Sequence, residues 1–101
     1  MANTPKKLYI GTAGTTATTL YTVPANTTTI VKEIIMSNAL STATTISFTI
    51  GGKNFMTQYS ISGYDVVVLD ISLVLNAGDT IVAVQPSANA IALFINGVEV
   101  S

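Results

Sequence analysis

The chain has no histidine, cysteine or tryptophan, and charged residues make up only 9% of its 101 residues. Arginine is also missing. Each absence removes a class of function. Without histidine, the commonest general base and the commonest metal ligand are gone. Without cysteine there is no thiol catalysis and no disulfide, and a structural zinc site loses its usual ligands. Four lysines against five carboxylates leave a net charge of −1. Nucleic-acid and anionic-membrane surfaces are bound through clustered cations, so neither is an expected partner. No run approaches the roughly 20 apolar residues of a membrane-spanning helix. Met1 to Lys7 has two lysines but no apolar run behind them, and so does not read as a secretory signal.

What remains is apolar and hydroxylated. Hydrophobic residues make up 49% of the chain, and much of the rest is Thr, Ser, Asn and Gly. A surface with so little charge is poorly protected against association. The composition therefore predicts burial of part of the outside in an oligomer or larger assembly.

The organising stretch is Tyr64 to Gln85, YDVVVLDISLVLNAGDTIVAVQ. At a period of two, Val67, Leu69, Ile71, Leu73 and Leu75 form an unbroken apolar row. The opposite row is Val66, Val68, Asp70, Ser72 and Val74, half apolar as well. The first row predicts a facing sheet, and the second predicts another chain. Along the rest of the sequence, short β-branched runs alternate with turn signals. Leu8–Ile10, Leu20–Val23, Thr27–Asn38, Thr45–Ile50, Lys53–Tyr59, Thr80–Gln85 and Ala90–Ile95 read as strands. Pro24-Ala25-Asn26, Gly51-Gly52, Asn76 to Asp79 and Ser87 to Asn89 read as turns. Val98 to Val100 reads as a brief pairing after a bend or bulge at Asn96-Gly97. No window carries a helical period. The expected fold is all-β: an antiparallel β-sandwich or jelly roll of about eight short strands. The spacing fits an immunoglobulin-like Greek key and a jelly roll equally. Residues 8–101 are expected to form one β-sandwich domain, preceded by a flexible arm over 1–7.

No reaction chemistry emerges. Serines are plentiful, but none has a base or a nucleophile elbow. Asp65 and Asp70, five residues apart on one strand, are expected to face opposite sides. Asp79 beside Asn76 reads as a turn residue bonding nearby amides, not as a calcium ligand. No metal site, cofactor or catalytic residue is expected. Two sets of residues remain as candidate contacts. Val66, Val68, Val74 and Phe94, left over from the core rows, are expected at an oligomer interface. Lys6 and Lys7 would lie in the arm, placed to reach a partner. Tyr59 and Tyr64 flank one loop and would be the stacking pair if the chain held a sugar.

Thr19–Ala39 reads TLYTVPANTTTIVKEIIMSNA, and Ile71–Val84 reads ISLVLNAGDTIVAV. On these residues the chain resembles a group of small virion proteins of tailed bacteriophages. The match lies in Leu20 to Val23, Pro24, Thr27 to Val31, Ser37-Asn38 and Leu75 to Ile81. The resemblance runs from Leu8 onward and leaves out Met1 to Lys7. It implies a β-sandwich subunit, often a homotrimer, that attaches to phage capsid or tail proteins and is exposed on the particle. Its most specific form would be a capsid decoration protein that stabilises the head. The alternative is a tail-tip or fibre module that recognises a host-surface glycan or protein.

Overall fold

The computed structural model describes residues 3–87 and 89–101. Eight strands follow in order: β1 (Asn3–Thr12), β2 (Thr18–Thr22), β3 (Thr28–Asn38), β4 (Thr44–Ile50), β5 (Lys53–Ile61), β6 (Val66–Leu75), β7 (Thr80–Val84) and β8 (Ile91–Val100). β1 pairs with β8, β2 with β7, β3 with β6 and β4 with β5, all antiparallel. The chain is thus one long ribbon folded back on itself. The ribbon then rolls up, because β3 also pairs with β8 and β4 with β7. Sheet A has the order β1-β8-β3-β6, and sheet B has the order β2-β7-β4-β5. This is the connectivity of a jelly roll, so of the two folds that the spacing fits, the immunoglobulin-like order is excluded.

The turns obey their local chemistry. Gly51 and Gly52 both take positive φ, which a two-residue hairpin needs to match the twist of its strands. Asn26 closes the Pro24 turn at φ 59°. The Asp79 carboxylate accepts from the Asn76 backbone N–H at 2.9 Å, the turn role expected of it.

The core lies between the sheets. Sheet A supplies Val31, Ile34, Met36, Leu93 and Ile95, and sheet B supplies Ile46, Phe48, Ile50, Ile81 and Ala83, all buried. Complete burial of one such side chain contributes roughly 1.5–3 kcal/mol before entropy is charged against it. Two buried amides fasten the loops to this core. Asn38 Nδ2 lies within 3.2 Å of the Thr42, Ile61 and Ser62 carbonyls, and its oxygen accepts from Leu40 N–H. Gln85 donates to the Ala13 carbonyl and accepts from Ile91 N–H.

Several expectations are corrected. Asn3 to Lys7 is not an arm but the first half of β1, paired from Asn3 opposite Val100 to Lys7 opposite Asn96. Pro and Lys read as a tail in sequence, but both are at home on an edge strand. Met1 and Ala2 lie outside the described residues. Asn96-Gly97 does not interrupt the last strand; β8 runs straight through it. The irregularity lies instead in both neighbours, with register shifts in β1 at Leu8 and in β3 at Lys32. A Cβ on Gly97 would overlap the Ile30 carbonyl oxygen and stand 3.0 Å from Leu8 Cδ1. The missing side chain therefore makes room for both bulges. The shift at Lys32 also changes which way β3 faces. Lys32 and Glu33, adjacent in a strand that otherwise alternates, both turn outward, so Ile30 joins the outer face and Val31, Ile34 and Met36 keep the inner face apolar at that level.

The row Val67, Leu69, Ile71, Leu73 and Leu75 faces the core, as expected, but only Leu75 is fully buried. β6 is the edge of sheet A, and β5 opposite it is exposed over most of its length. The sandwich is therefore less closed along that side.

Candidate functional site

The outer face of sheet A is built by register. Ile10 lies opposite Phe94, Phe94 opposite Ile35, and Ile35 opposite Val68. These four residues make one apolar row across all four strands. A second row runs Pro5, Val98, Ile30 and Val74 by the same pairings. Between them lies a polar row of Lys7, Asn96, Glu33 and Asp70. Beyond the first apolar row come Thr12, Ala92, Ser37 and Val66. Directly opposed side chains are about 5 Å apart, so each row is a continuous contact line. Ile10 and Val68 are each 53% exposed, Val66 52% and Val74 60%. Phe94, Ile35, Ile30 and Val98 are half-buried.

All four expected contact residues therefore stand on one face. Val68 and Phe94 share a row, Val66 borders it, and Val74 anchors the second row. Sequence reasoning did not select Ile10, Ile30, Ile35 or Val98. Ile35 and Val98 could have been found as apolar residues left outward once their neighbours are assigned inward. Ile10 and Ile30 enter only through the bulges.

The polar row brings two carboxylates side by side. Glu33 and Asp70 are directly opposed carboxylates, and Asn96 Nδ2 donates to Glu33 at 3.1 Å. Lys32 reaches Ser72 Oγ at 3.1 Å beside them. Like charges directly opposite destabilise a ladder, so this row is a cost that the amide and the lysine moderate. Asp65 sits before β6, where its carboxylate accepts from Val66 N–H, and it does not meet Asp70. Among the described residues, no group of three acidic, histidine or cysteine side chains is placed to hold a metal ion.

Lys6 and Lys7 have separate positions. Lys6 Nζ is 3.2 Å from Glu99 Oε1 at one end of the sandwich. The other oxygen of Glu99 accepts from the Tyr21 hydroxyl, which also lies 2.8 Å from Thr29 Oγ1. This chain of contacts joins β2 of sheet B to β3, β8 and β1 of sheet A. Burial, and then the Glu99 bond, push Tyr21 up to about 12. The Tyr21 hydroxyl, then the Lys6 ammonium, hold Glu99 below its ordinary value against the opposing effect of burial. Lys6 is thus part of a structural contact, and only Lys7 is on the outer face.

A shallow cleft of about 210 Å³ lies on sheet B, lined by Thr15, Thr45, Ser47, Gln58, Val84, Gln85 and Pro86. It has no aromatic wall. Tyr59 and Tyr64 are exposed, at 41% and 74%, but neither lines it. Tyr9 and Tyr21 pack against the core.

No family model matches the chain, and no curated protein matches it.

Proposed function

We propose that this chain is a non-enzymatic structural subunit that works as an oligomer, with the outer face of sheet A as its contact surface. One observation carries this reading: two apolar rows cross all four strands of that sheet and are left uncovered by the described residues of the chain. Isolated apolar residues on a surface need no explanation, but ordered rows of them mark contact sites. The resemblance at Leu20 to Val31 and Leu75 to Ile81 supports a particular setting, the virion of a tailed bacteriophage. There the chain acts as a capsid decoration protein, and a trimer is the stoichiometry the resemblance implies. Such a protein binds the assembled shell and not its separated parts, and so stabilises the shell by mass action.

The setting is tested by gold-labelled antibody and electron microscopy of particles from the lysate that contains the protein. Regular labelling of heads supports the decoration role. Label confined to the tail tip moves the role to host recognition, and particles free of label overturn the virion reading. The host-recognition module has the weaker support, because the exposed tyrosines stand apart from the cleft.

A further inference from the structure

Four strands end the two sheets, and three of them are guarded against pairing with another chain. β1 carries Pro5, Lys6 and Lys7 and a bulge at Leu8. β2 is only 5 residues long and is bulged at Leu20. β5 shifts register twice against β4 and holds Gln58 at φ 48°. Prolines, lysines, short length and bulges are the usual means of keeping sheet edges from recruiting foreign strands. β6 lacks them. It runs for 10 residues without Pro, Gly or Lys, has Asp70 as its one charge, and alternates regularly from end to end. Among the described residues its only hydrogen-bonded neighbour is β3, on one side. Roughly half of its backbone N–H and C=O groups therefore point outward along an open edge.

We propose that β6 pairs with β6 of a second copy of this chain, antiparallel across a two-fold axis at Ile71, so that two copies of sheet A become one continuous sheet. The register follows from faces and charge. Across a two-fold perpendicular to the sheet, outer residues meet outer and inner meet inner, so the axis must fall on a residue. An axis at Asp70 opposes two carboxylates, and an axis at Ser72 opposes Asp70 to Val74. The axis at Ile71 has neither fault. On the inner side it sets Ile71 against itself, Leu69 against Leu73 and Val67 against Leu75. On the outer side it sets Val68 against Val74 and Asp70 against Ser72, a carboxylate facing a hydroxyl that can donate to it. Every apolar residue from Val67 to Leu75 meets an apolar partner. This self-complementarity is why the occupant is a second copy and not an unrelated strand. The pairing also brings the partner's edge beside Val67, Leu69, Ile71 and Leu73, which one copy alone leaves half-covered. Face and edge are different surfaces. A three-fold contact through one and a two-fold contact through the other are compatible in a six-copy assembly.

Cysteine scanning of β6 in the full chain tests the register, because no native thiol competes. Directly opposed Cβ atoms lie about 5 Å apart, near disulfide reach, and a two-residue offset adds several ångström. Under mild oxidation Ile71→Cys should link most of the protein into dimers, while Ser72→Cys should remain largely unlinked. Because Ile71 also faces the core, a second test uses only exposed positions. Val68→Lys should weaken association about tenfold, and adding Val74→Glu to the same chain should restore it at low salt. An unlinked Ile71→Cys, equal linking at Ser72→Cys, or no rescue by Val74→Glu overturns the pairing. A three-copy mass with Ile71→Cys unlinked defeats the edge and leaves the proposed assembly role standing.

Discussion

The two sheets of this protein wear different coats. Outside sheet B the strands show Thr19, Thr22, Thr45, Thr49, Thr80, Ser47 and Ser60, with Val82 and Val84 among them and Phe55 exposed on the edge strand β5. Outside sheet A the corresponding positions are Ile10, Ile30, Ile35, Phe94, Val66, Val68, Val74 and Val98. Outside sheet A the charges are gathered in one polar row, Lys7, Glu33 and Asp70 with Lys32 beside it, and the rows on either side of it are uncharged. A hydroxyl satisfies water and a valine does not, so on the proposed reading solvent covers one side and a partner the other. The low charge of the composition is therefore not one fact but two. On sheet B, threonine replaces charge while keeping its high β-propensity. On sheet A, the proposed contact with another chain would take its place.

Four changes would break or sharpen this comparison. The largest effect belongs to the core that both faces share. Phe48→Ala removes a fully buried ring and should cost about 3–5 kcal/mol in urea unfolding. A loss under about 1 kcal/mol would mean that the sheets are not packed as described. Next comes Gly97→Ala, which should cost about 1–3 kcal/mol because the new methyl meets a backbone carbonyl that side-chain rotation cannot move. Ile71→Ala should be milder, about 1–2 kcal/mol, since that side chain is only half-buried at the edge of its sheet.

The smallest effect is on pH dependence. Tyr21 titrates at about 12 when folded against 10.0 as its ordinary value. Its contribution is therefore complete below pH 10.0 and lost as the pH rises toward 12. Glu99 works in the opposite direction. Its folded value is lowered, so its contribution is present above the ordinary carboxylate range and fades on acidification. Thermal melts of Tyr21→Phe should show a shallower alkaline decline than wild type. Parallel curves would show that the contact between β2 and β8 does not bear on stability.

The alternation in β4, β6, β7 and β8 is plain in the residues, because each has one face against a core and one away from it. The turn at Gly51-Gly52 and the role of Asp79 are equally plain, since local backbone chemistry decides them. The harder features arise between strands. Nothing near Lys32 announces a bulge; its cause is Gly97, far away in the chain and adjacent only after pairing. Without that shift, Ile30 and Lys32 group with Ile34 and Met36, and the second apolar row cannot be seen. Asn3 to Lys7 looks like a tail because edge strands and tails share proline and lysine. Val66, Val68, Val74 and Phe94, the proposed contact residues, stand out in the sequence as leftovers from the core rows. Their union with Ile10 and Ile35 into a line across the sheet needed the register.

The most direct test is the mass of the protein in solution by analytical ultracentrifugation, beside a variant with Ile10→Thr, Val68→Thr and Val74→Thr. These residues are exposed, so the variant should fold normally, and it gives sheet A the coat of sheet B. The account predicts that the native chain sediments as a multiple of 10.5 kDa and the variant in fewer copies, at most the pair joined along β6. A native chain that stays single at high concentration, or a variant that assembles as before, would contradict it.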